Sequence, residues 1–280
     1  MNLPIKEFET LLVNDQHPIL EVTLNRPKQI NAMNLRMVHE LMEIMLAATE
    51  SNHRVLILKG CNGNFCAGGD IKDMQSAHNA ESEEAALNSL SELNRAFGRM
   101  LQLADQLPLV TITVLQGAVL GGGFGLACVS DLAIADETAV FGLPETSLGI
   151  LPAQIAPFVL KRIGMTQTRK LALLGQRFKA EQAEKLGVIH TLTSKDQLTS
   201  TLEKSVQQVL KCGPQANKDT KALLHSVNNC NSQESLELIL DQAAEDFAYC
   251  ALKGEGLAGA KAFMTKQPAP WNPKSKDATQ

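Results

Sequence analysis

No apolar run among the 280 residues is long enough to span a bilayer, so the sequence offers no transmembrane helix. No block of Lys and Arg stands out against a net charge of −4, and a nucleic-acid footprint is therefore missing. The opening, MNLPIKEFET, lacks the apolar core of a secretory signal. Six cysteines (Cys61, Cys66, Cys128, Cys212, Cys230 and Cys250) are scattered without a pairing motif, and three sit in apolar surroundings as buried free thiols. The six histidines never fall at ligand spacing with Cys, Asp or Glu, so no metal is expected. These absences describe a cytoplasmic protein without disulfides. Hydrophobic content of 44% and charged content of 20% are ordinary for a soluble globular chain of one large domain or two modest ones.

What is present centres on Gln116 to Asp131, QGAVLGGGFGLACVSD. A strand reading LVTITVL (109–115) runs directly into three glycines, and an apolar helical segment follows. Bare backbone there lets a ligand approach the main chain. The first N–H groups of the helix have no intrahelical acceptor and sit at the positive end of its dipole, so they suit an oxygen carrying negative charge. Glycine used only for clearance between helix and strand fits the same residues.

Along the chain, Phe8 to Asn25 reads as two strands around a turn at Asn14-Asp15-Gln16. Asn34 is placed to cap a helix with Leu35, Val38, Leu41, Met42, Met45 and Leu46 on one face. Val55 to Leu58 is an apolar strand, followed by the loop CNGNFCAGGDIKDM. Gln75 to Glu84 reads as a mobile polar connection, and Leu87, Leu90, Leu93, Phe97, Met100 and Leu101 as the next helical face. Short strands are expected at Leu132–Ala135, Val140–Gly142 and Val188–Leu192, with helices between, two of them closed by Gly164 and Gly175. Beyond Lys195 the pattern is helical to Lys266, and the tail APWNPKSKDATQ is expected to fray. Alternation of strand and helix argues an α/β core with largely parallel pairing (1–195), followed by a helical region (196–280).

Five motifs in order, NRPKQINAM, FCAGGDIKDM, GGGFGLACVSDLAIAD, FGLPETSLGILP and EGLAGAKAFMTK, resemble the crotonase (enoyl-CoA hydratase/isomerase) superfamily over nearly the whole chain. The resemblance implies a spiral of ββα turns, two roughly perpendicular sheets and a C-terminal helical trimerisation region, assembled as trimers or dimers of trimers. It also implies an acyl chain carried as a coenzyme A thioester, with no prosthetic group. The segments GGGFGL and LPAQIAPFV look closest to the bacterial branch that includes 3-methylglutaconyl-CoA and isohexenylglutaconyl-CoA hydratases.

By that resemblance, the N–H groups of Gly69 and Gly122 hold the thioester oxygen as it becomes an enolate oxygen. Glu145 moves the proton at carbon. From the residues alone, Glu145 reads either as an acid raised toward neutrality among Phe141, Leu143, Leu148 and Ile150, or as a helix-cap or surface glutamate. Lys28, Ile30, Ala67, Gly68, Asp70 and Ile71 match the adenine and pantetheine path, and Asp70 also suits a loop-holding role. Phe263 and Lys266 match residues that reach the coenzyme, often from a neighbouring subunit. Leu151, Gln154, Ile155 and Phe158 shape the acyl pocket. Asp131 reads as structural.

The chain departs from the hydratase pattern at Gly125, where ordinary members carry a second, water-positioning glutamate. Three accounts stand. Glu145 alone delivers the proton and hydroxyl of one water; a distal carboxylate of the substrate occupies the vacated place and holds the water; or the reaction is a Δ3,Δ2 double-bond shift. The expected activity is hydration of a branched glutaconyl-type 2-enoyl-CoA to a 3-hydroxyacyl-CoA. The alternatives are the isomerase and a non-catalytic acyl-CoA binder.

Overall fold

The computed structural model describes residues 7–76 and 80–273. The chain forms two compact units. One comprises Met1–Leu107 and Thr111–Leu202, the other Pro108–Val110 and Glu203–Gln280.

The first unit opens with β1 (Leu11–Gln16) and β2 (Ile19–Leu24), an antiparallel pair in which Gln16 faces Ile19. The turn is therefore at His17-Pro18 and not at 14–16. Proline has no N–H to give a ladder and suits the turn. In β2, Leu20, Val22 and Leu24 are fully buried and alternate with more exposed residues, the period-2 pattern of a strand with one face on a core. The Asn34 side chain accepts from Met37 N at 3.0 Å and starts α1 (Leu35–Glu50). Met37, Val38, Leu41, Ile44, Met45 and Ala48 form its buried face, whereas Leu35 and Leu46 lie outside it.

Then come β3 (Val55–Gly60), α2 (Ile71–Ser76), α3 (Glu83–Gln106), β4 (Val110–Leu115), β5 (Ala118–Leu120), α4 (Gly122–Val129), β6 (Leu132–Asp136) and β7 (Val140–Gly142). Of the stretch expected to be mobile, 77–79 lie outside the described residues. Its end is helical, because Ser82 Oγ accepts from Ala85 N and Glu83 and Glu84 sit in the first turn of α3. Leu87 of α3 is exposed, and the helix's buried positions are Ala96, Gly98, Met100, Leu101 and Ala104. α5 (Ala156–Leu174) is two helices merged across Gly164, whose φ of 75° breaks the helical path. β8 (Arg177–Lys179), α6 (Ala180–Lys185) and β9 (Thr191–Thr193) complete this part of the chain. β9 lies later than Val188–Leu192, because Val188 and Ile189 bond back to Ala183 at the end of α6.

Two sheets result, one in the order β1-β2-β3-β4-β6-β9 and one in the order β5-β7-β8. β2–β3, β4–β6 and β6–β9 are parallel, and their central strands read as nearly unbroken apolar runs. The expected direct passage from strand to triple glycine is corrected here. Gln116 and Gly117 turn the chain out of the first sheet, and β5 enters the second before Gly121. Asp131 is structural, its carboxylate accepting Thr111 N at 2.7 Å. Cys66 and Cys128 are buried, two thiols rather than three, with the other four at least partly exposed.

The second unit holds most of α7 (Leu198–Leu210), then α8 (Pro214–Asn228), α9 (Gln233–Lys253) and α10 (Glu255–Met264). Glu255 caps α8 by accepting Gln215 N and Ala216 N. Trp271, in the tail expected to fray, donates its indole N–H to Lys211 O at 3.0 Å. Residues 274–280 lie outside the described ones.

Every residue of α4 is buried. Phe124 holds it edge-on against Phe141 of β7 and Phe178 of β8, with ring centroids 6.2 and 5.8 Å apart. Truncation of Phe178 to alanine is expected to destabilise the first unit by about 3–5 kcal/mol. Urea unfolding followed by circular dichroism measures this.

Candidate active site

Three backbone segments of the first unit meet at one place. The early loop is built on Arg26 and Asn31. Ile30 and Asn31 both have left-handed backbone, φ 52° and 56°. That conformation is costly for a β-branched residue and needs support. Asn31, fully buried, gives it. Its Oδ1 accepts Arg26 N at 3.0 Å, and its Nδ2 donates to Cys61 O and Asn64 O at 3.1 and 2.8 Å. Arg26 donates Nη1 to Ala32 O at 2.5 Å and pairs with Asp70 at 2.8 Å. Asp70 also accepts Lys72 N at 3.1 Å, so its loop-holding role comes from an arginine as well as from backbone.

The loop carrying Gly69 is thereby pinned. Met33 N donates to Gly68 O and Asp70 N to Met33 O, both at 2.8 Å, which makes Met33 and Gly69 a parallel bridge. That bridge uses the Gly68 carbonyl on one side of Gly69 and the Asp70 N–H on the other, and it skips the N–H of Gly69 itself. Met33 serves the second donor too, since its Sδ stands 3.5 Å from where a Cβ on Gly122 would be. Gly122 is the first residue of α4, so its N–H has no intrahelical acceptor. Neither N–H has a hydrogen-bond acceptor among the described residues.

Gly121, with φ 51°, turns β5 into α4. A Cβ there would stand 2.8 Å from Glu145 Oε1 and 3.3 Å from Gly68 Cα. Both glycine loops and the carboxylate are in contact at this point, and only glycine meets both the left-handed φ and the approach. Gly123 is equally confined, with the Cys66 Cβ 2.7 Å from its own would-be Cβ. Glu145 opens a short 3-10 turn (Glu145–Leu148) after Pro144. Its Oε2 is buried with no hydrogen-bond partner among the described residues. Burial pushes the carboxyl above the usual carboxylate range, and its own backbone N–H only partly offsets this. The Cys66 thiol nearby is pushed up to about 11 by burial, which keeps it protonated.

The space beside Gly125 is not open. A Cβ at 125 would meet Leu101 Cδ1 at 2.9 Å and Ile155 Cγ2 at 3.4 Å. Apolar side chains line the place where a side chain at 125 would begin. Ile155 therefore sits at the site. Gln154 lies against Gly98 of α3, while Phe158 is half-buried and Leu151 is 72% exposed. Ala67 N donates to Ile30 O at 3.1 Å, which joins two of the expected coenzyme-path residues. Lys28, Ile30 and Ile71 are exposed. Phe263 and Lys266 belong to the second unit, Phe263 being 86% exposed.

Sequence reasoning did not single out Arg26, Asn31, Met33 or Leu101. The first three lie inside the motif NRPKQINAM, which was the available signal; Leu101 had only its helical spacing.

The sequence model of the enoyl-CoA hydratase/isomerase family matches residues 14–274. The chain belongs to this family. It is a hydratase-type enzyme of the crotonase superfamily, with the superfamily's α/β fold, and the family works on coenzyme A thioesters without a prosthetic group. It is similar to the crystal structure of an enoyl-CoA hydratase/isomerase from Marinobacter aquaeolei, with 47% identity and a TM-score of 0.89, covering 94% of this chain and 99% of that one. Pseudomonas aeruginosa AtuE is also 47% identical, with a TM-score of 0.88 over 94% of this chain and 100% of that one. The 2,3-dehydroadipyl-CoA hydratase of Escherichia coli is 31% identical over 260 residues, 92% of this chain and 96% of that protein. Among the described residues, no helix of this enzyme is long and apolar enough to cross a membrane.

Arg26→Met is expected to lower kcat by about 10²-fold, because the Gly69 loop shifts. KM should change less, and Arg26→Lys should recover only part of the loss, since ammonium lacks the planar fork that reaches Ala32 O and Asp70 together. Steady-state kinetics on crotonyl-CoA check this.

Proposed function

We propose that the enzyme adds water across a 2-enoyl-CoA, with Glu145 as its sole acid–base and the N–H groups of Gly69 and Gly122 as the oxyanion donors. The observation that carries the reading is the buried, unpartnered carboxylate oxygen of Glu145 at the meeting point of both glycine loops. Ionised Glu145 takes a proton from water as the water oxygen adds to C3. The electron pair of the double bond moves through C2 to the thioester oxygen, where the two N–H groups stabilise it. Each such donor is worth about 3–4 kcal/mol of barrier. Glu145 then returns the proton to C2, so H and OH arrive on one face and the enzyme regains its starting state.

The proposed substrate is a branched, carboxylated, glutaconyl-type thioester. The likeness to 3-methylglutaconyl-CoA and isohexenylglutaconyl-CoA hydratases in GGGFGL and LPAQIAPFV supports this. So does the 2,3-dehydroadipyl-CoA hydratase relative, whose named substrate bears a distal carboxylate. Lys28, Ile30, Ala67, Gly68, Asp70 and Ile71 are proposed to line the coenzyme path, with Leu151, Gln154, Ile155 and Phe158 around the acyl chain. Residues 196–280 are proposed to mediate a homotrimer or dimer of trimers in the cytoplasm, with Phe263 and Lys266 reaching the coenzyme. The exposed Phe247, Leu252, Phe263 and Met264 of the second unit favour such burial.

One observation favours a second reading, the Δ3,Δ2-enoyl-CoA isomerase. Leu101 and Ile155 at Gly125 leave no second carboxylate there to hold water, and a double-bond shift needs only one group moving a proton.

Glu145→Gln is expected to reduce kcat by about 10²–10⁴-fold. In the wild type, kcat/KM for hydration should fall as pH drops through a pKa above the usual carboxylate range, because the ionised form starts the reaction. Stability follows the opposite sense. The folded carboxyl holds its proton to higher pH than the unfolded one, so wild-type stability falls as pH rises through that window. The glutamine variant escapes this loss. Its melting temperature should exceed the wild type's at pH 7 and converge with it below the usual carboxylate range. A non-catalytic binder would show no change in turnover at any pH.

A further inference from the structure

Beyond the acid–base site, α3 carries a cation without a counter-charge. Arg95 Nη1 lies 3.4 Å from Gln154 Oε1, and Nη2 lies 3.4 Å from Gln102 Oε1. Both contacts are long, and both acceptors are neutral. No carboxylate pairs with Arg95 among the described residues.

Its position relates to the reacting atoms through α3 itself. Leu101 of this helix covers Gly125, and Phe97 stands 3.5 Å from where a Cβ on Gly122 would be. Between them is Gly98, buried, whose would-be Cβ would run into Gln154 Oε1 and stand 2.7 Å from Arg95 Nη1. The bare glycine is a notch in which the Gln154 amide and the guanidinium sit together, and any side chain there would displace them. Because Nη2 reaches Gln102, the Arg95 side chain runs along the helix toward its C-terminal end. The guanidinium therefore stands level with the turn that covers the site, although the Arg95 backbone lies about 9 Å back from Leu101. The apolar wall of Leu101 and Ile155 suits the hydrocarbon of an acyl chain, and Gln154, which holds the exposed guanidinium, is the chain neighbour of Ile155.

We infer that Arg95, oriented by Gln154 in the notch at Gly98, is the specificity-determining residue that receives the distal carboxylate of the acyl chain. This rests on the carboxylated-substrate reading above and says where that carboxylate goes. A guanidinium fork matches a carboxylate with two parallel N–H donors, and exchanging two long bonds to amides for two charge-assisted ones favours the ionised substrate.

The test compares glutaconyl-CoA with 2-pentenoyl-CoA, which has the same number of acyl carbons but no carboxylate, in wild type, Arg95→Met and Arg95→Lys. The wild type is expected to prefer glutaconyl-CoA in kcat/KM. In Arg95→Met that preference should drop by about 10–100-fold, carried by KM rather than kcat. Arg95→Lys should keep part of it, and rising salt should erode the preference in the wild type but not in the methionine variant. A wild type that does not prefer glutaconyl-CoA overturns the carboxylated-substrate reading and this inference with it. A wild type that does prefer it, with the ratio intact in Arg95→Met, overturns the role of Arg95 alone.

Discussion

The contact on which this enzyme's site depends is the approach of the Glu145 carboxylate to the bare backbone of Gly121. One side chain, one glycine with left-handed φ and one neighbouring loop at Gly68 meet within ordinary contact distance. Nothing larger than hydrogen fits on Gly121. The consequence reaches in both directions along the chain. β5 must end there, α4 must begin there, and the early loop must hold Gly68 and Gly69 against it through Met33.

The polar groups around this contact divide into two kinds. Asn31, Arg26 and Asp70 are bonded several times over and serve as scaffold. Glu145 Oε2 and the N–H groups of Gly69 and Gly122 are left without partners among the described residues. A buried polar atom without a partner is costly to a fold, and its persistence beside such a braced frame supports the proposal that these atoms meet the substrate. The frame supplies the stability that the site gives up.

The strands and helices of the core were largely legible from period and caps. Asn34, Gly164 and Gly175 behave as their residue types require. The errors fall where local pattern is weakest. β5 and β8 are three-residue strands whose existence depends on pairing with β7, a partner distant in sequence. The turn at His17-Pro18 was misplaced because Asn14 and Asp15 are good turn formers that here sit in a strand paired to Glu21 and Leu20. Leu46 and Leu87 fit a helical stripe, yet neither is buried.

The sequence by itself determined the family, the order of elements and the residue types at the site. Glycine runs, a glutamate after proline and five ordered motifs are local features, and local features survive being read one residue at a time. Only the tertiary structure decided that Arg26 braces Asp70, that Leu101 and Ile155 occupy the place beside Gly125, and that Arg95 and Gln154 share the notch at Gly98. Each of these joins side chains far apart in sequence or separated by a helix turn, and packing rather than periodicity chooses such partners. Volume is the physical reason. A missing side chain at 98 or 125 is visible in the sequence, but what fills the space it leaves is set by whichever chain segment folds back against it.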